Sequence, residues 1–259
     1  MRIAMATVPV GPDRFETIDE GRGDPVLLLH GFPTSRLLWQ RVVPKLSGRF
    51  RVLAPDLKGY GKSSGDGPVD LASQAGSLLR FLDALDLPRV AVVAHDVGSA
   101  AGQILAVRAP ERVRALVVVD GVHGGEWAMG SVETIRSWDP AKAASLAKVL
   151  ARTMRVRDPA LREILGGYEG EEGGRRLIRA AQAFDPRQTE SIGEALGNLP
   201  MPRLVVWGDH DEYLPLHEVG EPLAKTLKAR LVVLPGGHFL PLDAPDALAE
   251  ALLTFLDAI

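Results

Sequence analysis

Short aliphatic runs alternate with segments of helical period along most of the chain, and that rhythm narrows the fold more than any other feature. The runs are Val26 to Leu29, Arg51 to Ala54, Val90 to Ala94, Ala115 to Val119, Arg203 to Trp207 and Leu231 to Leu234. They lack polar alternation, so they read as strands buried on both faces, the pattern of a parallel sheet. Helix-period segments cover roughly 35–47, 70–87, 98–109, 217–228 and 244–258. In "DLASQAGSLLRFLDALDL", for example, Leu71, Ala75, Leu78, Leu79, Leu82 and Leu85 build one apolar face. This order predicts an α/β protein with a doubly wound, mostly parallel sheet and helices on both sides.

The rhythm stops between Gly121 and Pro200. That stretch carries amphipathic pieces such as "AKAASLAKVLARTMRV" and a glycine-rich "GGYEGEEGG", but no convincing strand. A structureless loop of that length is uncommon inside a compact domain, so a small helical insertion is expected. The expected organisation is a core formed by 1–120 and 200–259, with 121–199 as a helical cap. The "EGEEGG" run reads as a solvated, mobile joint.

Composition excludes several function classes. With 259 residues and 46% hydrophobic content, the chain can bury a substantial core. Its 33 acidic and 30 basic residues are interspersed, leaving no basic stripe for a phosphate backbone, so nucleic acid is not an expected partner. Cysteine is absent, which removes disulfides, thiolate metal sites and a cysteine nucleophile. No apolar run approaches the ~20 residues of a membrane span, and Pro9, Gly11 and Pro12 interrupt the N-terminal stretch. A soluble, cytoplasmic protein without a membrane partner is expected.

Parallel strands present working groups at their carboxyl ends. After Leu29 comes "HGFPTS", after Ala94 "HDVGS", after Trp207 "GDHDEYLP" and after Leu234 "PGGHFLPLD". In chain order these supply Asp96 at a strand-to-helix turn, then Asp211, then His238. Nucleophile, acid and base follow one another in this order in α/β-hydrolases.

Over essentially its whole length the chain resembles the α/β-hydrolase superfamily, specifically its aspartate-nucleophile branch of epoxide hydrolases and haloalkane or haloacetate dehalogenases. "LLLHGFPTSRLLWQRVVPKL" resembles the oxyanion segment, "RVLAPDLKGYGKS" the next strand and loop, "VVAHDVGSA" the nucleophile elbow, "RLVVWGDHD" the acid strand, and "PGGHFLPLDAPDALAEALLTFL" the histidine loop and last helix. The resemblance implies a triad of Asp96, His238 and Asp211. It also implies an oxyanion hole formed by the backbone N–H groups of Phe32 and Val97. Asp120, ending "LVVVD", is the alternative acid.

Aspartate at the elbow changes the chemistry. A carboxylate with an ordinary pKa of ~3.9 is ionised at neutral pH and needs no base before it attacks. On an ester it would form a labile anhydride; on an sp3 carbon bearing a halide or an epoxide oxygen it forms an alkyl ester. His238, oriented by Asp211, then activates the water that hydrolyses that ester. The expected substrate is small, apolar and organic, with water as co-substrate and no cofactor or metal.

The branch members differ from this chain in their substrate contacts. Haloalkane dehalogenases place Trp after the nucleophile to hold the halide, whereas Val97 stands here. Fluoroacetate dehalogenases follow the nucleophile with arginines, whereas Val97 and Ala100 stand here. Epoxide hydrolases protonate the epoxide oxygen with paired cap tyrosines, and the insertion contains one, Tyr168. Candidate cap donors are therefore Tyr168 for an epoxide and Trp127 or Trp138 for a halide. Epoxide hydrolysis is the first expectation and dehalogenation the second. A noncatalytic small-molecule-binding member of the fold is the alternative from another class. His30 and His95 read as structural, holding the oxyanion turn and the elbow. His210 and His217 read as exposed loop and helix residues, and Tyr168 itself leans towards an exposed loop position.

Overall fold

The computed structural model describes residues 3–64, 67–124, 130–145 and 163–259. Its centre is an eight-stranded sheet in the order β1-β2-β4-β3-β5-β6-β7-β8. The strands are β1 (Met5–Val10), β2 (Asp13–Glu20), β3 (Pro25–Leu29), β4 (Arg51–Pro55), β5 (Val90–Asp96), β6 (Val113–Gly121), β7 (Arg203–Gly208) and β8 (Arg230–Leu234). From β4 to β8 every neighbouring pair is parallel; β2 runs antiparallel to both β1 and β4.

The aliphatic runs became strands because each has two faces to bury. Leu27, Leu29, Val92, Ala94, Leu116 and Val118 fill one layer, together with helices α2 (Leu71–Ala84) and α3 (Val97–Arg108). Val26, Leu28, Ala91, Val93, Ala115 and Val117 fill the other, against Leu38, Trp39 and the final helix (Pro245–Leu256). Period-two alternation within each strand thus feeds two cores, which is why no polar position interrupts it. Helix α2 starts where Asp70 caps it, its side chain accepting the Ser73 N–H at 3.1 Å.

The N-terminal hairpin was not anticipated from the sequence. β1 and β2 do alternate between buried and exposed positions, but Pro9, Gly11 and Pro12 mask that signal. Proline is tolerated because β1 is an edge strand. The helix expected over 35–47 is a 3₁₀ turn (Arg36–Trp39) followed by α1 (Val43–Leu46). That expected over 217–228 is a π turn (Leu216–Gly220) leading into a helix (Glu221–Leu227).

Among the described residues, the connection from β6 to β7 holds helices and no strand. They are α4 (Gly130–Arg136), α5 (Pro140–Ala144), α6 (Gly170–Gln182), α7 (Arg187–Glu190) and α8 (Gly193–Gly197). The "EGEEGG" run is not a loose joint: it forms the first turns of α6, with Glu171 and Glu172 exposed and Gly173 and Gly174 buried. Glycine is required there, because a Cβ on Gly174 would lie 1.9 Å from the carbonyl oxygen of Pro140. A Cβ on Gly167 would lie 3.0 Å from the Cα of Gly61, so the turn before α6 rests directly on the loop after β4. Among the described residues no helix is long and apolar enough to cross a membrane.

Candidate active site

β5 ends in Asp96, whose backbone lies at φ 48° and ψ −130°, a conformation that L residues rarely adopt. Crowding explains why its neighbours are small. A Cβ on Gly31 would sit 2.4 Å from that of Asp96, and one on Gly98 would sit 2.2 Å from the carbonyl oxygen of His30. Gly98 and Gly102 let α3 lie close against the strands, and the elbow aims Asp96 back toward the turn after β3.

That turn meets it with a donor. The N–H of Phe32 donates to Asp96 Oδ2 at 2.8 Å, and the N–H of Val97 also favours the ionised carboxylate. The turn is braced by His30. Its Nε2 accepts the Leu57 N–H at 3.0 Å, so its Nδ1–H donates to the carbonyl of Gly31 at 2.9 Å. Burial, the dominant influence, lowers the His30 pKa, and this tautomer is neutral. Thr34 adds its hydroxyl to the same carbonyl at 2.8 Å.

His238 arrives from the loop after β8 and is buried. Its Nδ1 lies 2.8 Å from Asp211 Oδ2, and its Nε2 lies 3.9 Å from Asp96 Oδ1. The other oxygen of Asp211 accepts the N–H groups of Tyr213 and Leu214, each at 2.8 Å. The acid is therefore locked in its own loop with one oxygen left for the imidazole. Burial alone would lower the His238 pKa; the hydrogen bond and charge of Asp211, with Asp96 and Asp120 adding to them, outweigh it and push it up to about 9. For Asp96, burial raises the pKa, opposed by the His238 charge and by the N–H groups of Val97 and Phe32.

The structure brings Asp96, His238, Asp211, Phe32 and Val97 into one cluster. Asp120 is close by but differently engaged. It sits at the end of β6 with φ 40°, and its Oδ1 accepts the Gly208 N–H at 2.7 Å. Its Oδ2 is buried without a partner among the described residues, and burial raises its pKa well above the usual carboxylate value.

Tyr168 is buried, not exposed, and its hydroxyl has no hydrogen-bond partner among the described residues. Burial raises its pKa, which keeps the phenol protonated. Trp138 is half-buried with an indole N–H that likewise lacks a partner, and the Nζ of Lys142 lies 4.9 Å from its ring centroid. Trp127 lies outside the described residues. His210 and His217 are exposed and bonded to Asp209 and Glu221. Among the described residues, no group of three or more His, Cys, Asp and Glu side chains could hold a metal ion.

One residue beside the cluster was missed in the sequence. Tyr60 is buried with its ring 5.4 Å from His30, edge on, and its phenol is raised by burial, then by Tyr168 and then by Asp96. The available signal was its position between Gly59 and Gly61, both at positive φ, in a loop at a strand's carboxyl end.

Comparison with known proteins agrees with the architecture. Haloalkane dehalogenase 2 of Mycobacterium tuberculosis is 29% identical, the match covering 93% of this chain and 90% of that protein. An α/β hydrolase fold protein from Burkholderia ambifaria superposes with a TM-score of 0.82 at 25% identity, over 97% of this chain and all of that one. A haloalkane dehalogenase from Bradyrhizobium elkani superposes with a TM-score of 0.85 over 99% of this chain and 98% of that one; at 23% identity it attests the fold alone. The model of the alpha/beta hydrolase family matches residues 26–251, from β3 into the last helix, and the chain belongs to that family.

Proposed function

We propose that the protein is a hydrolase acting on small apolar substrates at an sp3 carbon, by way of a covalent ester on Asp96. The carrying observation is the division of labour between the two oxygens of Asp96. Oδ2 accepts the Phe32 N–H at 2.8 Å, while Oδ1 faces His238 Nε2 across 3.9 Å. The tethered oxygen is suited to remain the carbonyl, and the other to attack.

In the first half-reaction Oδ1 displaces a leaving group from carbon, forming the C–O ester bond as the carbon–halogen or carbon–oxygen bond breaks. The leaving group departs with the electron pair. Alkylation removes the charge of Asp96, one of the carboxylates that hold the His238 proton. The imidazole pKa then falls, the proton passes to bulk water, and neutral His238 takes a proton from the attacking water as that water adds to Cγ of Asp96. The oxyanion formed at Cγ is held by the N–H groups of Phe32 and Val97, each such donor being worth ~3 kcal/mol of barrier. Collapse expels the product alcohol and restores the carboxylate. Asp211 orients the imidazole and stabilises its cation. Residues 121–199 act as a cap over the site, and the reaction uses only side chains, backbone N–H groups and water.

For the leaving group, the phenol of buried Tyr168, without a hydrogen-bond partner among the described residues, supports an epoxide, whose oxygen departs as an alkoxide and needs a donor. The second reading is a haloalkane, favoured by the relatives named haloalkane dehalogenases and by the indole N–H of Trp138, which has no partner among the described residues. Val97 at the position after the nucleophile supplies no side-chain donor for a halide.

A single turnover in heavy-oxygen water tests the nucleophile, with epoxides and haloalkanes as substrates. Mass spectrometry of the elbow peptide is expected to find the label on Asp96 and not in the first-turnover product. Label in that product means that water attacks the substrate directly. Failure of every epoxide, haloalkane, haloacid and p-nitrophenyl ester to turn over or label Asp96 returns the protein to the noncatalytic binding class.

A further inference from the structure

β5 delivers two contacts to the same histidine from consecutive residues. Asp96 faces the His238 ring, while His95 reaches its backbone: His95 Nε2 lies 2.7 Å from the carbonyl oxygen of His238. A carbonyl only accepts, so His95 Nε2 carries the hydrogen. His95 Nδ1 is then an acceptor, buried and without a partner among the described residues. The two imidazole rings stand 4.9 Å apart, and Phe239 packs against both.

This bond joins distant parts of the sheet. β5 is separated from β8, which launches the histidine loop, by β6 and β7. The loop's other ties run to the acid loop and to its own following turn. Asp211 bonds the His238 ring, Asp209 accepts the Gly236 N–H at 2.9 Å, and Asp243 accepts the Gly237 N–H at 3.1 Å. His95 refers the loop to the strand that carries Asp96. A residue needed only to fill space would be served by an apolar side chain, which would leave no buried nitrogen without a partner.

We propose that His95 is a positioning residue for the hydrolytic half-reaction, its Nε2–H holding the His238 backbone so that the His238 ring stays aligned with Cγ of Asp96. This rests on the ester mechanism above, in which only the second half-reaction uses His238 as a base. His95 acts as a neutral donor; burial first, and the neighbouring charge of His238 second, hold its pKa well below the ordinary value.

Two variants and one spectroscopic measurement test it. With bromobutane and styrene oxide as probes, His95→Leu alkylates Asp96 within about threefold of wild type but hydrolyses the ester at least about tenfold more slowly. In His95→Gln an amide N–H reaches the same carbonyl, and hydrolysis returns to within about threefold of wild type. Equal behaviour of the two variants, or a parallel loss in both half-reactions, overturns the proposal. Nitrogen-15 NMR of the wild type is expected to find His95 as the Nε2–H tautomer; the Nδ1–H tautomer overturns the proposal whether or not His95→Leu folds. Should neither probe alkylate the wild type, the nucleophile reading fails separately. His95 is then judged on the His238 ring resonances, which shift in His95→Leu and stay as in wild type in His95→Gln; unchanged resonances in both overturn it.

Discussion

The carboxylate of Asp120 accepts the backbone N–H of Gly208 at 2.7 Å, a bond that pins the end of β6 to the end of β7 and engages one of its two oxygens. Asp211, one loop further on, instead lies 2.8 Å from His238 Nδ1. Two carboxylates thus neighbour one histidine with different tasks. Asp211→Asn is expected to slow ester hydrolysis on the order of a thousandfold, by removing the charge that orients and stabilises the imidazolium. Asp120→Asn is expected to lower it by less than about tenfold, since His238 keeps its hydrogen-bonded partner. Single-turnover rates of the two variants decide the assignment, and the reverse order transfers the acid role to Asp120.

The half-reactions separate at His238. His238→Gln retains the Asp96 carboxylate and is expected to alkylate it and then stall. Intact mass rises by the substrate-derived group and stays raised. An inert His238→Gln protein beside an active wild type contradicts the division of labour.

The charge relation between Asp96 and His238 has a pH signature. A nearby carboxylate favours the imidazolium, so removing it lowers the histidine pKa. By NMR titration, His238 in the free protein is expected to lose its proton at about pH 9, and in Asp96→Asn at a lower pH. The alkylated enzyme resembles that variant electrostatically, so ester hydrolysis accelerates with rising pH through a midpoint below about 9. A midpoint unchanged in Asp96→Asn removes the proposed trigger for the second half-reaction.

The leaving group is read through the insertion. Tyr168→Phe is expected to lower epoxide turnover by about tenfold or more while leaving halide release unchanged. Trp138→Phe or Trp127→Phe weakens halide binding if the substrate is a haloalkane, measured by bromide or iodide quenching of tryptophan fluorescence. Wild-type epoxide turnover in Tyr168→Phe removes the reason for placing epoxides first.

Packing at the elbow predicts a stability difference between two glycines of α3. Gly98→Ala drives a methyl to 2.2 Å from the His30 carbonyl, a backbone atom with nowhere to move, and is expected to cost about 1–3 kcal/mol or more. Gly102→Ala meets Ala94 Cβ at 3.2 Å and costs less. Denaturant midpoints of the two variants give the comparison.

The sequence by itself determined the parallel sheet, because its strands must be apolar on both faces and so appear as unbroken aliphatic runs. It also determined the order of Asp96, Asp211 and His238, because each follows such a run and parallel strands share their carboxyl ends. The N-terminal hairpin was hidden by Pro9, which is acceptable only on a strand whose edge position is a property of the assembled sheet, and by Gly11 and Pro12, which form the turn between β1 and β2. Between Asp211, which the resemblance puts first, and Asp120, the tertiary structure sets the partners: Asp120, near the end of β6, accepts the Gly208 N–H, whereas Asp211, in the loop after β7, lies beside His238 Nδ1. The tertiary structure also decided that Tyr168 is buried and that "EGEEGG" opens a helix. Both follow from packing against the loop after β4 and against α5, contacts distant in sequence that leave no local period to read. His95 shows the same limit: its position before Asp96 is visible in the chain, but the carbonyl it holds lies 143 residues away.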